Sequence, residues 1–286
     1  MNMSTDTSSR AEETGSSRET VPETDPGSAV DPDSPNVARI YDYFLGGQVN
    51  YPADRAAADR IAAEMPQTPL TARAMRRWLT RTVRSMVVDE GITQFLDLGA
   101  GLPTQENVHQ VAARHTPEAR VVYVDTDPVV LAHGRQLLDG TGSVLILGDV
   151  MEMAAVLEHP RVVELLDFAR PLGVLISGVL HFLPDAADPH SQIALLRDRL
   201  APGSCLAVNS LVSDHDRDRA ERLMMLYRGE TGKGELRSAA EVARFFGDFI
   251  VQPPGLVPLD DWRPDAPVPP ADDPGRLVWG GMASNR

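Results

Sequence analysis

The residues with the clearest chemistry lie in Asp97-Leu98-Gly99-Ala100-Gly101-Leu102-Pro103-Thr104, directly after the apolar pair Phe95-Leu96. Glycines at this spacing allow a tight turn and let a ligand approach the main chain where a Cβ would collide. Downstream, Val121-Val122-Tyr123-Val124-Asp125 is a second apolar run that ends in an acid and is followed by Thr126. Gly148-Asp149-Val150 places a third acid after a third such run. An acid ending the second strand of a βαβ unit can accept hydrogen bonds from both ribose hydroxyls, which suits any adenosine-containing cofactor.

Charge at the turn separates the cofactor classes. A pyrophosphate needs a helix N-terminus approached closely through a third glycine, and here Thr104 stands at that position. Asp97 would repel a phosphate but can pair with the α-amino group of a methionine moiety. Asp149 can accept a bond from an adenine amino group. Three acids at three successive strand ends therefore suit a cationic sulfonium cofactor, S-adenosylmethionine. The plainer alternative is that these acids cap the helices that follow them.

The fourth run, Leu175-Ile176-Ser177-Gly178-Val179-Leu180-His181-Phe182, puts Ser177 and His181 at the carboxyl edge where open α/β sheets bind ligands. His181 is a candidate for orienting the cofactor or acting as a base, against the alternative of a histidine packed beside Phe182. No metal is expected, because the seven histidines show neither H-x-x-x-H nor H-E-x-x-H spacing. Asp185, Asp188 and His190 share one loop and are weak as a ligand set.

The elements that must position these residues follow from periodicity. Strands are expected at 94–98, 120–124, 143–147, 173–177 and 204–210, with crossover helices at 107–115, 128–138, 151–157 and 191–200, the alternation of a parallel sheet. Helices are also expected at 217–228 and 238–246, and segments 248–257 and 276–283 are expected to pair as a C-terminal antiparallel hairpin across a Pro-rich loop, 262–274. Before the sheet, Val37, Ile40, Tyr41 and Phe44 recur at helical spacing and a glycine break follows. Two more helices are expected, at 53–63 and about 70–89, the latter Arg-rich on one face.

The chain divides accordingly into a tail (1–34) expected to be disordered, an N-terminal helical cap (35–92) and a Rossmann-like domain (93–286). The tail is Ser, Thr, Glu, Asp and Pro with almost no large apolar side chain. In the cap, Tyr41, Asp42, Tyr43, Gly46, Gly47, Asn50 and Tyr51 cluster around the glycine break. Such a segment is a candidate lid that folds over the cofactor and builds the acceptor pocket, with Tyr43 and His181 as the candidate catalytic residues. A plain helical cap with core-packed tyrosines is the alternative.

With 286 residues the chain can bury a sizeable core, and its formal charge of -14 argues against a protein that coats nucleic acid. The single cysteine, Cys205, excludes an internal disulfide and fits a reducing compartment. No basic head with an apolar run opens the chain and no stretch approaches a membrane span, so a cytoplasmic protein with a small-molecule partner is expected. Among the 27 basic residues only Lys233 is a lysine.

Together these residues resemble the class I S-adenosylmethionine-dependent methyltransferases, through the D-x-G-x-G turn, the acid ending the second strand and the Gly-Asp pair after the third. More narrowly, the chain is similar to the actinobacterial S-adenosyl methyltransferase family, formerly a domain of unknown function, from about Pro35 to the C-terminus. The stretches that carry this are Val37 to Gly47, Phe95 to Thr104, Val121 to Pro128 and Val179 to Phe182. The resemblance implies a seven-stranded, mostly parallel methyltransferase sheet with an added N-terminal helical cap. It also implies cofactor contacts at Gly99, Gly101, Asp125, Asp149 and around Ser177; the candidate cofactor-binding set of this chain adds Asp97, Thr104, Thr126 and Val150. The chain departs from the family pattern at Gln48-Val49, where a lysine and a polar residue are usual, and at Met75, where an asparagine is expected.

Methyl transfer from a sulfonium needs mainly alignment and water exclusion, so no nucleophile motif is required. Two alternatives stay open. A nicotinamide-dependent oxidoreductase would share the strand-turn-acid geometry, although the third glycine and any Tyr-x-x-x-Lys pair are missing. A non-catalytic S-adenosylmethionine-binding regulator would share everything but turnover.

Overall fold

The computed structural model describes residues 1, 30–103, 106–266 and 274–286. Most of the expected disordered tail, Thr104 and part of the Pro-rich loop lie outside the described residues.

Five parallel strands build the centre of the sheet: β1 (Gln94–Leu98), β2 (Arg120–Asp125), β3 (Val144–Leu147), β4 (Gly173–Ser177) and β5 (Cys205–Leu211). Two short strands, β6 (Ile250–Val251) and β7 (Val257–Pro258), then pair along one edge of the final strand β8 (Val278–Ser284). The order is β3-β2-β1-β4-β5-β8, with β6 and β7 sharing the outer position. β8 runs antiparallel to β5 and pairs antiparallel with β6 and β7, so the expected pairing of the two C-terminal segments forms. The outer strand is split where Pro253 and Pro254, which lack an N–H, interrupt the ladder. The eight named strands thus occupy seven positions.

Between the strands come α4 (Val108–Ala113), α5 (Pro128–Leu138), α6 (Met153–Glu158), α7 (Pro160–Leu165) and α8 (Pro189–Arg199), and beyond β5 come α9 (Arg217–Thr231) and α10 (Ala239–Ala243). Before the sheet lie the chain's first three helices, αA (Val37–Phe44), αB (Pro52–Glu64) and αC (Thr68–Val88), so those that follow count from α4.

Because side chains alternate across a strand, the sheet has two cores. Phe95, Val121, Tyr123, Leu175 and Ala207 face αC, whereas Leu96, Val122, Ile146, Val174 and Val208 face α6 and α8. Period two carries the first set onward: Asp97 follows Phe95, Asp125 follows Tyr123, and Ser177 follows Leu175. The polar strand ends therefore emerge on the face that αC covers.

The cap helices are fastened by buried charge. Arg39 on αA bonds Asp54 on αB (Nε–Oδ2 2.8 Å) and Asp127 after β2 (Nη1–Oδ2 3.0 Å), all three side chains being almost fully buried. Asp54 also accepts the Asn36 and Tyr51 backbone N–H groups at 2.9 and 2.8 Å. Surface pairs Arg60–Glu230 and Arg222–Glu64 link αB to α9, the latter two carboxylate–guanidinium contacts adding little in water. Among the described residues no helix is long and apolar enough to cross a membrane.

Candidate functional site

At the carboxyl ends of β1 to β5, under αA and αC, lies a cavity of about 630 Å³. Its floor begins with the glycine turn. Gly99 and Ala100 donate their backbone N–H groups to the Val124 carbonyl at 2.8 and 3.0 Å, which folds the turn back onto β2. Gly99 has φ +74° and a Cβ there would overlap Val179, so this position requires glycine twice over. Gly101, at φ +64°, donates its N–H to Asp125 Oδ2 at 2.8 Å.

Asp125 Oδ1 accepts the Asp127 N–H at 2.9 Å. The carboxylate is thus aimed by two backbone donors and keeps a lone pair on each oxygen for further hydroxyl donors. Burial nonetheless raises its pKa, and the neighbouring Asp127 adds to that, against the backbone donors that lower it. Asp97 is only 5% exposed and accepts no such bonds; burial pushes its pKa up to about 7, with Arg76 opposing and Asp125 reinforcing the rise. Asp97 and Asp125, buried side by side, gain from a cationic guest. The Arg76 guanidinium comes from αC and also lies 5.8 Å from the Tyr41 ring centroid.

Around these, the expected cofactor residues Asp97, Gly99, Gly101, Asp125, Thr126, Asp149, Val150 and Ser177 all line the one cavity. Asp149 Oδ1 caps the next turn by accepting the Met151 N–H at 2.8 Å, so the capping alternative holds alongside its place on the wall. Ser177 Oγ receives the Asn209 amide at 2.7 Å, and Asn209 Oδ1 in turn accepts the Gly178 N–H at 2.8 Å. Asn209, fully buried behind the wall, is a positioning residue whose sequence signal is the same as that of the polar wall residues, a polar side chain at the end of an apolar run.

The two candidate catalytic residues fare differently. His181 lines the cavity, 7% exposed, with Nδ1 facing the Leu211 N–H at 3.4 Å and its ring 4.4 Å from that of Phe182. Burial, helped by Arg237, drives its pKa down to about 3, so it is neutral at physiological pH and a feeble base. Tyr43 does not reach the cavity: αA turns its hydroxyl outward to Asp59 Oδ1 at 3.1 Å. The tyrosine on the wall is Tyr41, two residues earlier and on the opposite side of the helix; its hydroxyl bonds the Ala72 carbonyl at 3.2 Å.

The glycine break is a packed turn. Gly47 donates to the Asp42 carbonyl, and the buried Asp42 carboxylate takes the Val49 N–H (2.9 Å) and the Asn50 amide (2.8 Å). A Cβ on Gly47 would overlap that carboxylate. The cap nevertheless contributes Val37, Ala38 and Tyr41 to the wall. Among the described residues, no group of His, Cys, Asp and Glu is arranged to hold a metal ion.

Comparison with known proteins agrees with this geometry. The model of the S-adenosyl methyltransferase family matches residues 23–286. A solved structure of a candidate methyltransferase from Thermobifida fusca YX is 40% identical, superposes with a TM-score of 0.86, and the match covers 89% of this chain and 96% of that one. A DUF574 family protein from Streptomyces avermitilis MA-4680 is 34% identical with the same TM-score, over 90% of this chain and 99% of that one. No curated protein matches the sequence. The cofactor of this family is S-adenosylmethionine. The matches span nearly the whole chain, and the chain belongs to the S-adenosyl methyltransferase family.

Proposed function

We propose that the protein transfers the methyl group of S-adenosylmethionine to a small-molecule acceptor held in the same cavity. The observation that carries this reading is the convergence of Asp97, Asp125 and Asp149, from three neighbouring strand ends, on one cavity beside a glycine turn without a phosphate-binding third glycine. Asp125 fits a ribose, since its carboxylate is held by Gly101 and Asp127 yet retains acceptor capacity. Asp97 fits the α-ammonium of the methionine moiety, with Arg76 beside it for the α-carboxylate. Asp149 and Val150 fit the adenine edge.

The cofactor supplies an electrophilic methyl group; the protein's part is to align the acceptor and exclude water. αA and αC roof the cavity, and Tyr41, Met75 and Leu79 from these helices line it. His181, kept neutral by burial, orients a neighbour instead of removing a proton. Its depressed pKa predicts that kcat shows no inflection between pH 5 and 8 attributable to this histidine, and that His181→Asn lowers kcat without changing the profile's shape. The cavity volume falls within the range of about 300–1,000 Å³ usual for small-ligand sites, which supports a small acceptor.

A thermal-denaturation comparison tests the cofactor class. S-adenosylhomocysteine should raise Tm in a saturable way, whereas reduced nicotinamide dinucleotide should not. The reverse order of effects would return the turn to the dinucleotide class.

A further inference from the structure

The cavity has two chemically distinct halves. The acids and glycines of β1, β2 and β3 form one; the other lies beyond β4 and β5, between αC and α9. This second half is walled by Met75, Leu79, Leu223, Met224, Phe182 and Tyr227. Phe182 and Tyr227 meet edge to face, with ring centroids 5.3 Å apart and planes at 68°. Among the described residues the Tyr227 hydroxyl has no hydrogen-bond partner.

Two glycines leave room for the methionine side chains. A Cβ on Gly178 would come within 2.6 Å of Met75 Cε, and one on Gly234 within 2.5 Å of Met224 Sδ. Two thioethers and an aromatic corner line the same half of the cavity, a wall that complements a flat π-system, since sulfur and aromatic rings both make favourable contacts with one.

The groups that could take a proton on this side are few. His181 is occupied at Nδ1 by the Leu211 N–H, and Glu235 stands at the rim on the Gly232 to Glu235 loop that closes the cavity beside Arg228 and Lys233. The loop is drawn in by Arg228, which donates to the Gly234 carbonyl at 2.6 Å, and by the Glu235 N–H, which donates to the His181 carbonyl at 2.8 Å. With its Nδ1 taken by the Leu211 N–H and its pKa lowered to about 3, His181 is poorly matched to the tightly held proton of an aliphatic alcohol, and a carboxylate at the rim is matched little better.

Building on the methyltransferase reading, we propose that the acceptor is a planar aromatic molecule whose ring lies against the Met75–Met224–Phe182–Tyr227 wall and whose methylated atom already offers a lone pair at neutral pH, as an aromatic amine or ionised thiol does. The lone pair forms the new bond to the methyl carbon, and the carbon–sulfur bond breaks with its electrons going to sulfur, which becomes a neutral thioether. An amine nitrogen then loses its proton to water.

The test uses the full-length protein saturated with S-adenosylhomocysteine for binding and with S-adenosylmethionine for turnover. The probes are 1-naphthylamine, 1-naphthalenethiol and the saturated alcohol decahydro-1-naphthol. Naphthyl fluorescence should report binding of both aromatic probes, and S-adenosylhomocysteine should form with at least one of them. The saturated alcohol should neither displace them nor turn over. Tyr227→Leu should weaken naphthyl binding by about tenfold, the size of one lost aromatic contact, and Met224→Glu by more. Affinity for S-adenosylhomocysteine should stay within about twofold in both, which also shows that the variants fold. Naphthyl binding unaffected by either substitution, or turnover of the alcohol matching that of the aromatic probes, overturns the proposal. A wild type that binds no S-adenosylhomocysteine overturns the cofactor reading itself, a separate and distinguishable failure.

Discussion

Asp97 shows how one buried side chain serves the site at a cost to the fold. Its folded-state pKa of about 7 stands above the ordinary 3.8, so the free protein loses stability as pH rises from about 4 to 7 and the buried carboxyl ionises. Asp97→Asn should therefore be more stable than wild type at pH 8, by about 1–3 kcal/mol, and the gain should shrink towards pH 6, as denaturant titrations at the two values will show. Cofactor binding has the opposite dependence. An ammonium pairs with the ionised acid, so affinity should be level above about pH 7 and fall by up to about tenfold per unit below it, with the slope lost in Asp97→Asn. Asp97 and Asp125 were legible in the sequence because each ends an apolar run that can only be a strand. Tyr41 and Tyr43 look alike in sequence, since composition marks a cluster but not which side of a short helix meets the cavity. Of the departures from the family pattern, Gln48 is exposed and Val49 serves the Asp42 turn through its N–H, whereas Met75 is on the cavity wall.

At the scale of elements, the strands and crossover helices were legible almost to the residue, since period-two and period-3.6 patterns report burial directly. What periodicity could not show is how the cap is fastened. The link is Arg39, which joins αA to αB through Asp54 and to the β2–α5 turn through Asp127, whose N–H in turn bonds Asp125. Nothing about a lone arginine in a helical pattern announces partners 15 and 88 residues away. Arg39→Met leaves two carboxylates buried without their cation, which should cost about 3–5 kcal/mol of stability. Because the same guanidinium steadies the turn behind Asp125, S-adenosylhomocysteine affinity should drop as well, although Arg39 does not line the cavity. A loss of stability with unchanged affinity would show that the cap and the ribose acid are uncoupled. The α7 helix leaves no signal in sequence because Pro160–Leu165 is too short to show a period, and the split of the outer strand is hidden because its two prolines lie inside an otherwise apolar run.

For the whole molecule, the cavity lies between the sheet and the cap, so a ligand that fills it joins the two. Binding should then stabilise them together: at a concentration of S-adenosylhomocysteine about 100 times Kd, unfolding free energy should rise by about 2.7 kcal/mol in a single transition. Two separate transitions, with only the later one shifted, would mean that the cap is not part of the site. The family model matches residues 23–286, so cap and sheet both fall within one match. The central claim, that three strand-end acids build a sulfonium-cofactor site, is tested most directly by calorimetric titration of S-adenosylmethionine and S-adenosylhomocysteine into wild type and Asp125→Ala. Both ligands should bind wild type at one site per chain, and the variant should bind roughly 10- to 100-fold more weakly, having lost hydrogen bonds to a charged acceptor. Absence of heat with either ligand in the wild type, or equal affinity in the variant, would contradict it.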